Sequence, residues 1–391
     1  MLRYRKFTVS AIAFFMLLAL KVFLDLTYVE PSLSTPTEPP SESLFDPLLL
    51  LEPLHGQEEL SMLALHNLAQ GLRRMVIKSK ALWNREELEL LNTKELRAWG
   101  CKIKRPSLEK PFYEPLEKFL LYGGCRDQKL IIDQPDKCVA NKTFLLLAIK
   151  SSPANFAQRQ AVRSTWGMER SYNGQFVRLV FLLGTTPGPD LSNLLFHEDK
   201  LFHDLLQWDF QDTFFNLTLK DQLFLGWASL QCPDARYILK GDDDVFARTS
   251  DIVHHLNSLT ESQSRALYMG HVVKIARPYR DSKSKYYIPP TYFDGWYPPY
   301  AGGGGYVFSG ALTHWLYLVS HFVTPFPIDD VYTGMCFKAL GVNPIAHPRF
   351  RTFETPCTDK NHGCIDENLL LVHKRNPQEL IKMWKHLQYA E

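Results

Sequence analysis

Apolar positions fall into three patterns along the chain, each predicting a different kind of element. The first is a charge-free run from Phe7 to Leu20, resuming after Lys21 and ending near Val29, behind a basic start with Arg3, Arg5 and Lys6. About 20 apolar residues cross a bilayer. Residues 7–29 therefore read as a transmembrane signal-anchor, with Lys21 snorkelling and Asp25 at the interface. A cleaved signal peptide is the rival, but no small-x-small site follows Leu20. The basic flank keeps residues 1–6 cytoplasmic and sends the remainder across. The second pattern runs from Glu58 to about Leu96, where Leu65, Leu68, Leu72 and Val76 recur at helical spacing, with Gly71 as the weak point. With the Pro-, Ser- and Thr-rich spacer 31–43 before it, this predicts a stem over 30–110 whose helix packs on a folded domain at 111–391.

The third pattern is short, continuously apolar segments alternating with helical ones. Phe144–Ile149, Val177–Leu183 and Arg236–Leu239 have the length of buried strands. Ser152-Pro153 predicts a helix start with proline at its first position, carrying Arg159 and Arg163 on one face. Leu217–Leu230 reads as a helix, and Asn376-Pro-Gln-Glu379 opens another through Leu387 with a capping pair. Such alternation predicts an α/β domain with a mainly parallel sheet covered by helices on both faces. Ligands then sit outside the carboxyl ends of the strands.

Charge narrows the function. Among 391 residues, 44 Lys plus Arg against 42 Asp plus Glu give +2, without the basic excess of a nucleic-acid binder. With 45% hydrophobic and 22% charged residues the chain can bury a core. The seven cysteines show no CxxC spacing, so disulfides in an oxidising lumen are favoured over zinc, and an odd count leaves at least one thiol free or bridging chains. Asn141 and Asn216 head N-glycosylation sequons, which agrees with a luminal domain.

Four segments carry candidate chemistry. Asp242, Asp243 and Asp244 follow an apolar strand directly. A solvated acidic turn is the ordinary reading of such a triplet, but the position suits a hard divalent cation shared with a phosphate. Tyr300-Ala-Gly-Gly-Gly-Gly305 places four glycines between aromatic and apolar residues, where a backbone can approach a ligand closely. Asp329 and Asp330 open a helix, where one of them serves as a cap. His373 ends an apolar run and gains meaning only beside the acidic cluster. Trp296, Tyr297 and Tyr300 suit stacking on sugar faces, with core packing as the alternative for each.

These segments, with Arg159-Gln-Ala-Val-Arg-Ser-Thr-Trp-Gly167, resemble in order the β1,3-glycosyltransferase family of the Golgi, over roughly residues 112–389. Leu130–Cys138, Asp212–Lys220, Lys285–Pro289 and Pro327–Cys336 look like its β1,3-N-acetylglucosaminyltransferase branch, whereas Cys357 looks like an addition. The resemblance implies a GT-A, Rossmann-like fold that uses UDP-N-acetylglucosamine with Mn²⁺ or Mg²⁺. It implies transfer to O3 of a terminal galactose on poly-N-acetyllactosamine, keratan or mucin-type chains. By position, Asp242, Asp244 and His373 would hold the metal, and Asp330 would be the catalytic base. Arg159, Arg163, Asp242, Asp243, Gly303 and Gly304 would face the donor, with a surface or ion-pair role as the alternative for the two arginines. A type II protein of the Golgi membrane follows, acting on galactose-terminated glycans, binding no nucleic acid, and open to homo- or hetero-oligomers with other glycosyltransferases. A β1,3-galactosyltransferase and a non-catalytic luminal chaperone or carbohydrate-binding relative are the alternatives.

Overall fold

The computed structural model describes residues 69–90, 112–139, 142–186, 188, 190–352 and 369–390. The first half of the chain forms α1 (Leu82–Leu90), α2 (Glu114–Tyr122), β1 (Leu130–Ile132), β2 (Thr143–Lys150), α3 (Phe156–Arg163), β3 (Ser171–Tyr172), β4 (Gln175–Thr185), α4 (Ser192–Phe202), β5 (Leu205–Gln211) and α5 (Leu217–Gln231). The second half forms β6 (Tyr237–Asp242), β7 (Phe246–Ala247), α6 (Thr249–Asn257), α7 (Glu261–Arg265), β8 (Tyr268–Val273), β9 (Tyr300–Ser309), α8 (Thr313–Val319), α9 (Asp329–Ala339), β10 (Ile345–Ala346), β11 (Phe350–Arg351), β12 (Leu371–Val372) and α10 (Pro377–Ala390).

All eight residues of β2 are buried, which is why its sequence is continuously apolar rather than alternating. Its side chains still divide by the strand period of two: Leu146 and Ala148 join one core, Leu145, Leu147 and Ile149 the other. The main sheet runs β1-β5-β4-β2-β6-β9-β8-β10. Strands β5, β4, β2 and β6 are parallel, as the alternation predicts. The far half departs from that pattern, because β9 lies antiparallel to both β6 and β8. The connection 274–299 between β8 and β9 contains no helix that could carry a parallel crossover. A second sheet, β11-β12-β7, pairs β12 antiparallel to β7.

Two helical expectations need correction. The predicted stem helix is interrupted: residues 69–73 are helical, 74–81 are not, and α1 follows. Ser79 Oγ accepts from the Ala81 N–H at 3.2 Å, an alternative to helical pairing that serines offer. Pro153 lies ahead of α3, which begins only at Phe156, with Asn155 as its N-cap residue and the Asn155 side chain bonded to Asp243 and not to the helix end. At α10 the expected capping pair is present, Glu379 N–H to Asn376 Oδ1 at 2.9 Å and Asn376 N–H to Glu379 Oε2 at 2.8 Å.

Residues of the expected stem pack on the core of the domain that follows. Ala69, Leu72, Leu82 and Trp83 share one hydrophobic cluster with α5, α8 and α9. Trp83 is 1% exposed, donates to the Thr324 carbonyl at 2.9 Å, and packs edge-on against Phe293 and Phe326. Glu87 Oε2 accepts from the Thr324 N–H at 2.6 Å. Helix α1 thereby holds the segment that leads into α9. No helix among the described residues is long and apolar enough to cross a membrane, and the expected anchor 7–29 lies outside them, as do Asn141, Cys101, Cys357 and Cys364. Cys138 and Cys232 are disulfide-bonded, Cys125 is too, and Cys336 is a free buried thiol.

Trp83→Ala should destabilise the full chain by about 3–5 kcal/mol, the cost of emptying a large aromatic site, read as a lower denaturant midpoint. A change below ~1 kcal/mol would mean that α1 is an appendage rather than part of the core.

Candidate active site

The site is assembled by strand register. In the parallel β2–β6 pair, Lys150 lies opposite Asp242 at the carboxyl ends of both strands. The Lys150 ammonium, almost fully buried, reaches Asp242 Oδ1 at 3.1 Å and Asp329 Oδ2 at 2.5 Å. Burial opposes its charge, but Asp242, Asp329 and Asp221 outweigh that and hold it well above its ordinary pKa. Burial alone would raise the Asp329 carboxyl, yet Lys150 holds it below its ordinary value. Asp329 is thus the partner of a buried cation, not the helix cap its position suggests.

His373 arrives by the second sheet. Strand β7 begins two residues after Asp244, β12 ends one residue before His373, and the two strands are paired. The turn is pinned further by the Asp243 N–H to the Lys150 carbonyl at 3.1 Å and the Arg375 N–H to the Asp244 carbonyl at 2.7 Å. Asp242, Asp244 and His373 offer ligand atoms that all lie within 4.8 Å of one another. His373 Nε2 is 3.1 Å from Asp244 Oδ1 and 3.5 Å from Asp242 Oδ2. Burial pushes the His373 imidazole down, but the two carboxylates outweigh it and raise its pKa. The Asp242 carboxyl is raised by burial and by Asp329 and Asp244, against the pull of Lys150. The buried His373 Nδ1 makes no hydrogen bond. Two carboxylate oxygens and an imidazole nitrogen, with negative charge left uncompensated, fit a divalent cation such as Mn²⁺ or Mg²⁺.

The glycine run of β9 passes between His373 and Asp330. A Cβ on Gly304 would come 2.6 Å from His373 Cγ, and one on Gly303 would come 3.3 Å from Asp330 Cβ. The Gly303 N–H donates to Asp330 Oδ2 at 3.1 Å, and the Val331 N–H donates to Oδ1 at 2.8 Å. Glycine at these two positions gives room to two side chains. Burial, with the Asp329 charge beside it, raises the Asp330 carboxyl to about 7 despite Lys150 and these two N–H groups. Neighbouring aspartates thus sit on opposite sides of their ordinary value.

Arg159, Arg163 and Asp243 are held by ion pairs and hydrogen bonds within the protein. Arg159 is fully buried and paired with Glu198 at 2.7 Å. Arg163 bridges Glu198 and Asp204, each at 2.7 Å. The ion-pair alternative therefore describes both arginines. Arg159 Nη1 also donates to Ser151 Oγ at 3.1 Å, and that hydroxyl donates to Asp243 Oδ2 at 2.6 Å. Asn155 Nδ2 donates to the same oxygen at 2.9 Å. Asp243 is fixed inward by this chain of bonds and holds the turn on which Asp242 and Asp244 stand.

Three buried lysines, Lys150, Lys220 and Lys240, also belong to the site, which no local pattern in the sequence assigns to them. Lys220 donates to the Ser151 carbonyl at 2.7 Å and to Asp212 at 2.8 Å, and Lys240 pairs with Asp221. Each is 6% exposed or less; a lysine closing or interrupting an apolar segment was the available signal. Of the aromatic candidates, Tyr297 is buried, Tyr300 is half-buried, and Trp296 is exposed beneath the Arg277 guanidinium. Asn216 heads α5 with its amide donating to the Gln211 carbonyl at 2.8 Å.

The family profile described as Galactosyltransferase matches residues 157–348. The chain is 52% identical over 276 residues to N-acetyllactosaminide beta-1,3-N-acetylglucosaminyltransferase 2 of Homo sapiens, covering 70% of this chain and 69% of that one. It is 38% identical over 410 residues to UDP-GlcNAc:betaGal beta-1,3-N-acetylglucosaminyltransferase 8 of Mus musculus, covering 100% and 99%. It is 44% identical over 270 residues to N-acetyllactosaminide beta-1,3-N-acetylglucosaminyltransferase 4 of Mus musculus, covering 68% and 76%.

Lys150→Met leaves Asp242 and Asp329 buried without their cation, and breaking such a pair costs about 3–5 kcal/mol. The denaturant midpoint at pH 7 should fall accordingly, and Asp329→Asn added to it should restore part of the loss. The depressed Asp329 carboxyl supplies stability that is present above the ordinary carboxylate range and lost as pH falls through its lowered value. The double variant should therefore lose less stability on acidification than the wild type.

Proposed function

This chain belongs to the galactosyltransferase family, in its β1,3-N-acetylglucosaminyltransferase branch, and we propose that it transfers N-acetylglucosamine from UDP-N-acetylglucosamine, with inversion, to O3 of a terminal galactose. The observation that carries this is the glycine run of β9, which sets a raised carboxyl, Asp330, on one side and the Asp242–Asp244–His373 group on the other. Transfer needs both: a base for the acceptor, and compensation for the departing diphosphate.

Asp330 is the base. It takes the proton of the acceptor O3 hydroxyl as that oxygen forms its bond to the anomeric carbon. The bond from that carbon to the diphosphate oxygen breaks, and UDP leaves with the electron pair. A carboxyl tuned to about 7 suits a base working near neutrality, where its basic form is populated and basic enough to act. The Gly303 and Val331 N–H groups aim it. Asp242, Asp244 and His373 would hold the divalent cation, and neutralising the charge that grows on the diphosphate is the chemistry such an ion supplies when bound. Lys150 keeps Asp329 ionised and Asp242 in place. Residues 7–29 serve as the signal-anchor of a Golgi membrane protein, and the disulfides at Cys125 and between Cys138 and Cys232 support an oxidising lumen.

The test is the full chain with UDP-N-acetylglucosamine or UDP-galactose, a galactose-terminated acceptor, and Mn²⁺ or excess chelator. Transfer of N-acetylglucosamine that stops with chelator and returns with Mn²⁺ is expected. Preferential galactose transfer would favour the β1,3-galactosyltransferase alternative, and undiminished transfer in chelator would remove the metal role from the three residues. Asp330→Asn keeps the side chain's shape but cannot take a proton, so turnover should fall about 10²–10⁴-fold with little change in donor KM. In the wild type, kcat should decline as pH drops below about 7, because protonation removes the base. Lower turnover on raising the pH through this range would contradict that assignment.

A further inference from the structure

A groove of about 620 Å³ opens between α2 and the start of α5, and none of the residues placed in the reaction centre lines it. Its volume is that of a site for a small ligand, about 300–1,000 Å³. Phe119, Tyr122, Phe210, Phe214 and Phe215 give it aromatic walls. Phe214 stands edge-on to Phe215 with the ring centroids 5.5 Å apart, and Tyr122 is 49% exposed. The exposed Glu114–Lys118 ion pair, closed at 2.7 Å, adds polar groups to the lining. Aromatic walls left open to water on this scale mark a surface that is covered by something.

Asn216 lines the same groove. Its side-chain amide donates to the Gln211 carbonyl at 2.8 Å, which uses one of its two hydrogens. The other can be replaced by a sugar without breaking that bond. Thr218, which completes the sequon, is fully buried, and its hydroxyl donates to the Phe326 carbonyl at 2.6 Å. Phe326 lies 108 residues further along the chain and is itself buried. A glycosylating enzyme that must reach both Asn216 and Thr218 therefore acts before α5 docks on that segment. The sugar is then in place on Asn216 when α2 and α5 come together, and the groove forms beside it.

We propose that this groove seats the N-linked glycan of Asn216, whose first N-acetylglucosamine packs against Tyr122 and Phe214 and becomes part of the folded structure. This rests on the luminal placement proposed above and not on the transfer reaction. Attachment forms a bond from the amide nitrogen to the anomeric carbon of the sugar. The amide loses a proton, and the diphosphate of the lipid-linked donor leaves with the electrons of the broken bond. The apolar face of a pyranose ring matches a flat aromatic ring, and Glu114 and Lys118 meet the hydroxyls left at the edge. A sugar tethered at the rim meets the groove at a high effective concentration, which no free glycan matches. Covering these rings removes apolar surface from water, so this glycan stabilises the fold.

The experiment starts from the full chain made in a secretory host, with peptide mapping of both sequons; a glycan on Asn216 is expected. An Asn141→Gln background then leaves one glycan, and an endoglycosidase trims it to a single carbon-13-labelled N-acetylglucosamine. Resonances of that sugar should be displaced by ring currents relative to the same sugar on the denatured chain, and Tyr122→Ala should return them towards the denatured values. Thermal unfolding gives a second reading. Tyr122→Ala should lower the midpoint of the glycosylated chain by about 2–4 °C, and that of chain made with N-glycosylation blocked by less than ~1 °C. Trimming to one sugar should leave the midpoint where it was. Sugar resonances at their denatured positions, or an equal Tyr122→Ala shift with and without the glycan, would show a sugar held in solvent and overturn the groove assignment. A bare Asn216 beside a modified Asn141 overturns it as well. Bare asparagines at both sequons overturn the luminal placement instead, which separates the two.

Discussion

A single buried ammonium joins the parts of this molecule that the chemistry requires. Lys150 ends the most deeply buried strand, and its two partners come from a neighbouring strand and from a helix almost two hundred residues later, Asp242 and Asp329. Burying one charge costs far more than a fold can spare, so the sheet, the acidic turn and the start of α9 must come together for the cation to be compensated. Arg159, Lys220 and Lys240 repeat the principle in the layer behind, each paired with a carboxylate. The result is a rigid polar floor beneath the carboxyl ends of β2 and β6, which neither hydrophobic packing nor helix capping would position so closely.

Above that floor, backbone proximity decides the geometry. Strand β9 could not lie between α9 and β12 if its residues carried side chains, because Gly304 abuts His373, Gly305 abuts Leu371, and Gly303 abuts Asp330. The glycines look like a flexible linker in composition but are all in a strand, fixed by pairing with β6 and β8. A β-strand of glycines costs conformational entropy, and here that cost is offset by bringing two functional side chains to opposite sides of one ribbon.

The elements that the sequence disclosed most clearly are those fixed by local pattern. Buried β2, β4 and β6, helix α5 and the capped α10 all follow from apolar run length or a capping pair. The acidic triplet, the Asp329–Asp330 pair and His373 were legible as chemistry because carboxylates and histidine at the ends of apolar segments are unusual. What stayed hidden is what only long-range pairing creates. The β7–β12 ladder that delivers His373 joins two strands of two residues each, too short for any periodicity. The role of Asp243 differs from that of its neighbours only because Ser151 and Asn155 reach it. The choice between donor contact and ion pairing for Arg159 and Arg163 could not be read locally, because Glu198 and Asp204, which pair with them, lie some 40 residues on. Helix α1 belongs to the core through Trp83 and Glu87, contacts with residues some 240 positions away.

Asp329 and Asp330 show why residue type alone does not settle a role. They are chemically identical, adjacent, and both in the first turn of α9, where the helix dipole favours a negative charge on either. Lys150 meets only one of them. It holds Asp329 below its ordinary value, whereas burial first, and then the Asp329 charge, raise Asp330 against the pull of Lys150. Paired titratable groups driven apart in this way divide their work: one stays a charge, the other becomes able to exchange a proton near neutrality. The cation therefore acts on the chemistry without touching it, through an aspartate whose own task is to remain charged.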